Sequence, residues 1–169
     1  MAGILDDGAG FGALVKALAG NGAFLVVAGG RGAANIMTIG WAQLGVVWGL
    51  PVMTVLVRPS RFTHELIEKA EGFSVCVPPA GKLARELALC GSKSGRDLDK
   101  AAECGLVLAG GQRGGIKYIA GSELVYECAR LERTRVLPET LAGAVKEKYY
   151  ADGDYHDVYF GEVLSVHKG

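Results

Sequence analysis

Three polar segments hold the side chains best able to do chemistry, and each begins where an apolar run ends. In RPSRFTHELIEKA (58–70), Arg58 and Arg61 flank Ser60, and Thr63 follows, all at the start of a predicted helix. Free backbone N–H groups and the dipole at a helix start favour an anion, and guanidinium and hydroxyl donors together suit a phosphate monoester. An N-capping Ser60 between solvated arginines is the competing reading. In CGSKSGRDLDK (90–100), Gly91, Ser92, Lys93, Ser94, Gly95 and Arg96 form a loop whose amides and side chains can wrap a phosphate or a polyhydroxyl chain. The G-x-x-x-x-G-K-[ST] spacing of a Walker loop is not met. On its own the segment reads by default as a polar surface loop with Asp97 capping the next helix. In GGRGAANIMTIGWAQ (29–43), Asn35, Thr38, Trp41 and Gln43 are the polar-capable side chains of an otherwise apolar strand and could meet the edges of a planar heteroaromatic ligand. The Gly30-x-Gly32 opening is not a dinucleotide fingerprint, because Asn35 takes the place of the third glycine and no acid follows about 20 residues on.

The histidines are His64, His156 and His167, and their spacing supports no Ser-His-Asp or Cys-His arrangement. No catalytic side chain is assigned. Cys76, Cys90, Cys104 and Cys128 lack C-x-x-C spacing and a neighbouring His in ligand register, so no metal site is expected. Three of them sit in apolar patterns as small buried hydrophobes, whereas Cys90 runs directly into the polar loop.

The elements that must position these segments fit one domain over 1–169, half of it hydrophobic. Lys plus Arg equal Asp plus Glu at 18 each, so no global field recruits nucleic acid or an acidic membrane, and an anion must be held by local geometry. The N-terminus lacks a basic n-region and no apolar run approaches the ~20 residues of a membrane span, which predicts a cytoplasmic protein. Helical spacing predicts an entry helix over 11–19. Strands are expected at 23–28, 36–48, 51–57, 73–77, 106–108, 116–119, 123–136 and 158–166. Helices are expected at 61–70, 82–89 and 98–104, with a helical patch at 141–149. Many strands joined by short turns imply a mainly β fold with peripheral helices, closed or nearly closed into an antiparallel barrel.

Taken in order, the NIMTIGW strand, RPSRFTHELIEKA, CGSKSGRDLDK and YHDVYFGEV resemble the flavin reductase-like family of FMN-binding split barrels, most nearly its flavoredoxin branch, over about residues 23–166. The resemblance implies a six-stranded antiparallel Greek-key split barrel that forms a homodimer, with FMN near the subunit interface. It also implies that Asn35, Met37, Thr38, Ile39 and Trp41 line the isoalloxazine. Arg58, Ser60, Arg61, Thr63, Cys90, Gly91, Ser92, Lys93 and Ser94 would hold the phosphate and ribityl chain. Cys90 would then lie beside the flavin, buried rather than reactive. NAD(P)H is a candidate electron donor, with His156 on the nicotinamide side, although Gly153-Asp154-Tyr155-His156 has one residue more than the Gly-Asp-His of nicotinamide-using relatives. A protein electron donor or acceptor is the other expectation. A non-catalytic split barrel that senses ligand or scaffolds a dimer is the alternative function.

Overall fold

A computed structural model describes residues 8–169. The chain runs α1 (Gly8–Ala19), β1 (Ala23–Ala28), β2 (Ala34–Ile39), β3 (Ala42–Val47), β4 (Leu50–Val57), α2 (Phe62–Ile67), β5 (Gly72–Val77), α3 (Ala84–Ser92), α4 (Lys100–Cys104), β6 (Leu108–Gly110), β7 (Lys117–Ile119), β8 (Leu124–Arg135), α5 (Gly143–Tyr149) and β9 (Asp157–His167). Seven strands form one antiparallel sheet in the order β2-β1-β5-β8-β9-β4-β3, and β6 pairs with β7 separately.

The main sheet therefore has seven strands where six were expected. The extra one arises from the apolar run 36–48, expected as a single strand but broken into β2 and β3 at Gly40-Trp41. β2 and β3 are the two opposite edges of the sheet, yet only two residues separate them. Three Cα steps reach at most about 11 Å, so the sheet must coil until its edges nearly meet. Among the described residues no ladder joins β2 to β3, so the barrel is split along this seam rather than closed.

Two apolar cores explain the strand patterns. Inside the coil lie Leu25, Val27, Met37, Met53, Val55, Phe73, Val75 and Tyr159, with Leu14 of α1 packed against them. On the outer face of β1, β2 and β5, a second core of Phe24, Val26, Ile36, Cys76, Leu87, Cys90 and Ile119 is covered by α3, α4 and the β6–β7 hairpin. Strands buried on both faces read as near-continuous apolar runs, as AFLVVA does and as GFSVCV does but for Ser74, whose hydroxyl donates to Lys117 O at 2.7 Å. β9 is covered on one face and alternates buried and half-buried residues over most of its length.

At Gly161, in the middle of β9, a Cβ would lie 2.6 Å from Phe73 Cζ and 2.8 Å from Cys128 Cβ, both on buried residues. Gly161→Ala is expected to destabilise the fold by about 1–3 kcal/mol through overpacking, read as a lower urea midpoint at unchanged slope. An unchanged midpoint would show that the Phe73 ring can move aside.

Candidate functional site

The sheet seam, the β4–α2 loop, the end of α3 and the segment leading into β9 converge on one cleft of about 300 Å³. Its walls include Met37, Thr38, Ile39, Gly40 and Trp41 from the seam, Arg58 and Arg61 from the loop, Gly91 from α3, and Tyr149 and His156 from the strap over 149–156. Of the residues expected from sequence, Met37, Thr38, Ile39, Trp41, Arg58, Arg61, Gly91 and His156 come together here. Asn35, Ser60, Thr63, Cys90, Ser92, Lys93 and Ser94 stand behind or beside the cleft and do not line it.

The strap occupies much of the first anion segment. Arg58 donates from Nη2 to Tyr149 O at 2.6 Å, and from Nη1 to Asp154 O at 3.0 Å and to both Asp152 carboxylate oxygens at 3.1 Å. Its guanidinium also lies 5.3 Å from the Tyr150 ring centroid. Ser60 does not cap α2. Its hydroxyl donates to Asp154 Oδ2 at 2.5 Å, and Arg61 stands at the N-cap with no side-chain cap bond. The helix is also shorter than predicted, six residues over Phe62–Ile67.

Behind the cleft, buried Asn35 donates to Thr63 Oγ1 at 2.8 Å, which ties β2 to the first turn of α2. Gly95 packs so closely on the Asn35 amide that a Cβ there would collide with Asn35 Oδ1, so the polar loop passes over β2 only as glycine. Thr38 donates to Leu87 O at 2.7 Å and docks α3 on the same strand. The predicted loop from residue 90 is helical for its first three residues, because α3 continues to Ser92. The last carbonyls of α3, which lack helical partners, attract cations: Gly91 O accepts from Arg61 Nη2 at 2.5 Å and Cys90 O from Lys100 Nζ at 2.9 Å. Ser92 turns back to Ala88 O at 2.8 Å, the Ser94 hydroxyl accepts from Arg96 N at 3.2 Å, and Lys93 is exposed at the C-cap. Asp99, not Asp97, caps α4, accepting from Ala101 N and Ala102 N. The Cys90 side chain belongs to the outer core, where burial pushes its thiol up to about 12 and keeps it inert at neutral pH.

Aromatic rings from the seam and strap form the opposite wall. Trp41 meets Tyr149 edge-on at 5.0 Å and the His156 ring at 5.0 Å. Tyr150 OH and His156 Nδ1 are 2.8 Å apart. Burial first, and then the charge of Arg58, lower His156 to about 4, so the imidazole is neutral at pH 7. The neutral ring either accepts from Tyr150 OH at Nδ1 and carries its proton on Nε2, or carries it on Nδ1 and donates to the Tyr150 oxygen.

Three features were not legible in the sequence: the strap's acids Asp152 and Asp154, its aromatics Tyr149 and Tyr150, and buried Lys100. Lys100 reads as the last residue of a polar loop, and its signal would have been a lysine next to the apolar pair Ala101-Ala102. His64, Glu68 and Asp157 gather within metal-binding reach of one another. However, Asp157 also accepts from Arg133 at 3.2 Å and Arg135 at 2.5 Å, and Glu68 pairs with Arg133 at 3.4 Å. Guanidinium groups already neutralise that cluster. A larger cavity of about 560 Å³ lies between α1 and residues 77–82, but it lacks the paired arginines and aromatic wall of the cleft.

A family model described as the flavin reductase like domain matches residues 18–169. The chain is 36% identical over 89 residues to a protein named high molecular weight rubredoxin from Moorella thermoacetica, a match covering 50% of this chain and 35% of that one. It thus spans well under half the length of that relative. Among solved structures, it is similar to an FMN-binding protein from Thermus thermophilus with bound p-hydroxybenzaldehyde, at 27% identity and TM-score 0.65, covering 87% of this chain and 70% of the other. In fold it also matches a flavoredoxin from Methanosarcina acetivorans, at 24% identity and TM-score 0.67, covering 88% and 68%. Among the described residues no helix is long and apolar enough to cross a membrane.

Proposed function

The chain belongs to the flavin reductase-like family, and from that premise we propose that it binds FMN non-covalently in the seam cleft and passes electrons through it. The observation that carries this reading is the meeting of Arg58 and Arg61 with an aromatic wall in the cleft bordered by β2. The donor set fits the cofactor. The two arginines, with Lys93 and Ser94 beside the cleft, offer charge-assisted donors to a phosphate, and backbone groups of 38–41 offer edges to a flat ring. When bound, FMN supplies the electron-transfer chemistry itself, so the chain needs no acid or base of its own. Its residues bind the phosphate, orient the ring and limit access of water.

His156 adds one directional group, a neutral imidazole held by Tyr150 against Trp41, and it fits a role beside a nicotinamide ring or another flat substrate. A homodimer fits the exposed apolar residues Phe11, Val15, Val46 and Trp48 on α1 and around β3, which a second copy would cover.

The test is a visible spectrum during FMN titration, followed by rapid anaerobic mixing with NADH or NADPH. Saturable uptake of FMN is expected. Bleaching on mixing identifies a nicotinamide-oxidising flavin reductase, whereas a bound flavin that stays oxidised identifies a carrier fed by a protein donor. Protein that takes up no FMN would overturn the reading in favour of a non-catalytic scaffold.

A further inference from the structure

Lys100 is buried, 5% exposed, at the first position of α4. Its ammonium donates to Ile36 O on β2 and to Cys90 O at the end of α3, both at 2.9 Å. The first of these carbonyls belongs to the strand that continues into the cleft through Met37, Thr38 and Ile39, and the second precedes Gly91, which lines the cleft. One side chain therefore pins the end of α3 to the cleft-lining strand.

The electrostatics of this position do not favour folding. A cation at the start of a helix opposes the helix dipole, and burial opposes the charge itself. The groups facing Lys100 are Arg61 from the β4–α2 loop, Cys90 from α3 and Cys104 from α4, while β2 presents a carbonyl. None is a carboxylate, and Arg61 is a like charge. Two neighbouring cations, Lys100 and Arg61, thus share the end of α3, and among the described residues their side chains donate only to backbone carbonyls. An arrangement that costs stability without a compensating acid is one that an anionic ligand would complete.

We propose that Lys100 is a positioning residue for the cofactor, holding the end of α3 on β2 and, together with Arg61, giving the cleft a positive charge that a phosphate-bearing ligand neutralises. This rests on the FMN reading above. Burial, and then the repulsion of Arg61, lower the amine to about 8. The charge is present below that pH and lost above it, so affinity for an anion must fall as pH rises through about 8. The second ionisation of a phosphate monoester, near pH 6, is complete below this window and does not contribute. Cys90 is raised to about 12 and Cys104 is also raised, so neither thiol titrates there.

The experiment is FMN affinity by fluorescence quenching from about pH 7 to about pH 9, for the wild-type chain and for Lys100→Met, with circular dichroism confirming the fold of each. Wild type is expected to lose affinity severalfold across the window. Lys100→Met should bind about tenfold more weakly at pH 7, with a flat profile. Wild type that binds FMN with Lys100→Met showing the same affinity and the same profile overturns this inference alone. Wild type that binds no FMN overturns the cofactor reading and this inference with it. Should Lys100→Met fail to fold, the wild-type profile decides: a fall centred near pH 8 supports the assignment, and a flat line overturns it.

Discussion

Arg58→Ala is expected to weaken FMN binding by about 10–100-fold, the equivalent of one charge-assisted hydrogen bond at roughly 1.5–3 kcal/mol. Two effects act together. The cleft loses one of its two lining arginines, and the strap loses the fork that ties Tyr149 O, Asp154 O and the Asp152 carboxylate to the end of β4. Tyr149 and His156 form the aromatic wall, so their positions depend on that fork. Arg58→Lys separates the contributions, since an ammonium keeps the charge but cannot satisfy the divergent acceptors of a planar guanidinium. It should recover only part of the lost affinity. Asp152→Asn removes the charge of an acid whose side chain is 65% exposed but keeps one amide oxygen, and Arg58 retains its two backbone acceptors, so affinity should change by less than about threefold. Equilibrium titration of the variants checks the series. Arg58→Ala binding FMN like wild type would remove both the loop and the strap from the phosphate site.

The second large effect concerns the carboxylate that anchors α2 to the barrel. Asp157 is fully buried at the start of β9 and accepts from His64 Nε2 at 2.8 Å, Arg133 Nη1 at 3.2 Å, and Arg135 Nε at 2.5 Å and Nη2 at 3.1 Å. His64 lies on α2 next to Thr63, which holds Asn35, so this cluster fixes the helix behind the cleft. Asp157→Ala is expected to cost about 3 kcal/mol, the low end of the roughly 3–5 kcal/mol for breaking a buried ion pair. The low end applies because Arg133 and Arg135 keep 44% and 53% of their side-chain surface in water and can rehydrate.

Burial alone would raise the Asp157 carboxyl, but Arg135, His64 and Arg133 outweigh it and hold it at about 2. Its folded value lies below the unfolded value near 3.9. The stabilisation is therefore complete above about pH 4 and is lost as pH falls through about 2. Urea unfolding of wild type and Asp157→Ala should show the full gap at neutral pH and a shrinking gap toward pH 2. A gap below about 1 kcal/mol at pH 7 would mean that the arginines and His64 find other partners.

Much of the fold was legible because it is written locally. Apolar runs marked the strands β1, β4 and β5 to within a residue, and alternation marked the long β8. Helical spacing found α1, and Gly20-Asn21-Gly22 found its end. The errors have identifiable causes, one local and one distant in sequence. Gly40-Trp41 sits inside an apolar stretch with no proline or charge to mark a break, so β2 and β3 read as one strand. Ser60 has the right type and place for an N-cap, but Asp154, 94 residues away in sequence, competes for its hydroxyl.

The amino-acid sequence by itself determined that this chain is mainly β, that cations and hydroxyls cluster at residues 58–63 and 90–96, and that its motifs are those of the flavin reductase-like family. Periodicity and composition are sufficient for that, since both are read over a few neighbouring residues. Only the tertiary structure decided which of those groups line the cleft and which support it. Asn35 and Thr63 satisfy each other, Arg58 holds a strap more than 90 residues away in sequence, and Lys100 stands buried between two carbonyls. Hydrogen-bond partners are chosen by proximity in space and by the cost of leaving a buried group unpaired, and spacing along the chain encodes neither.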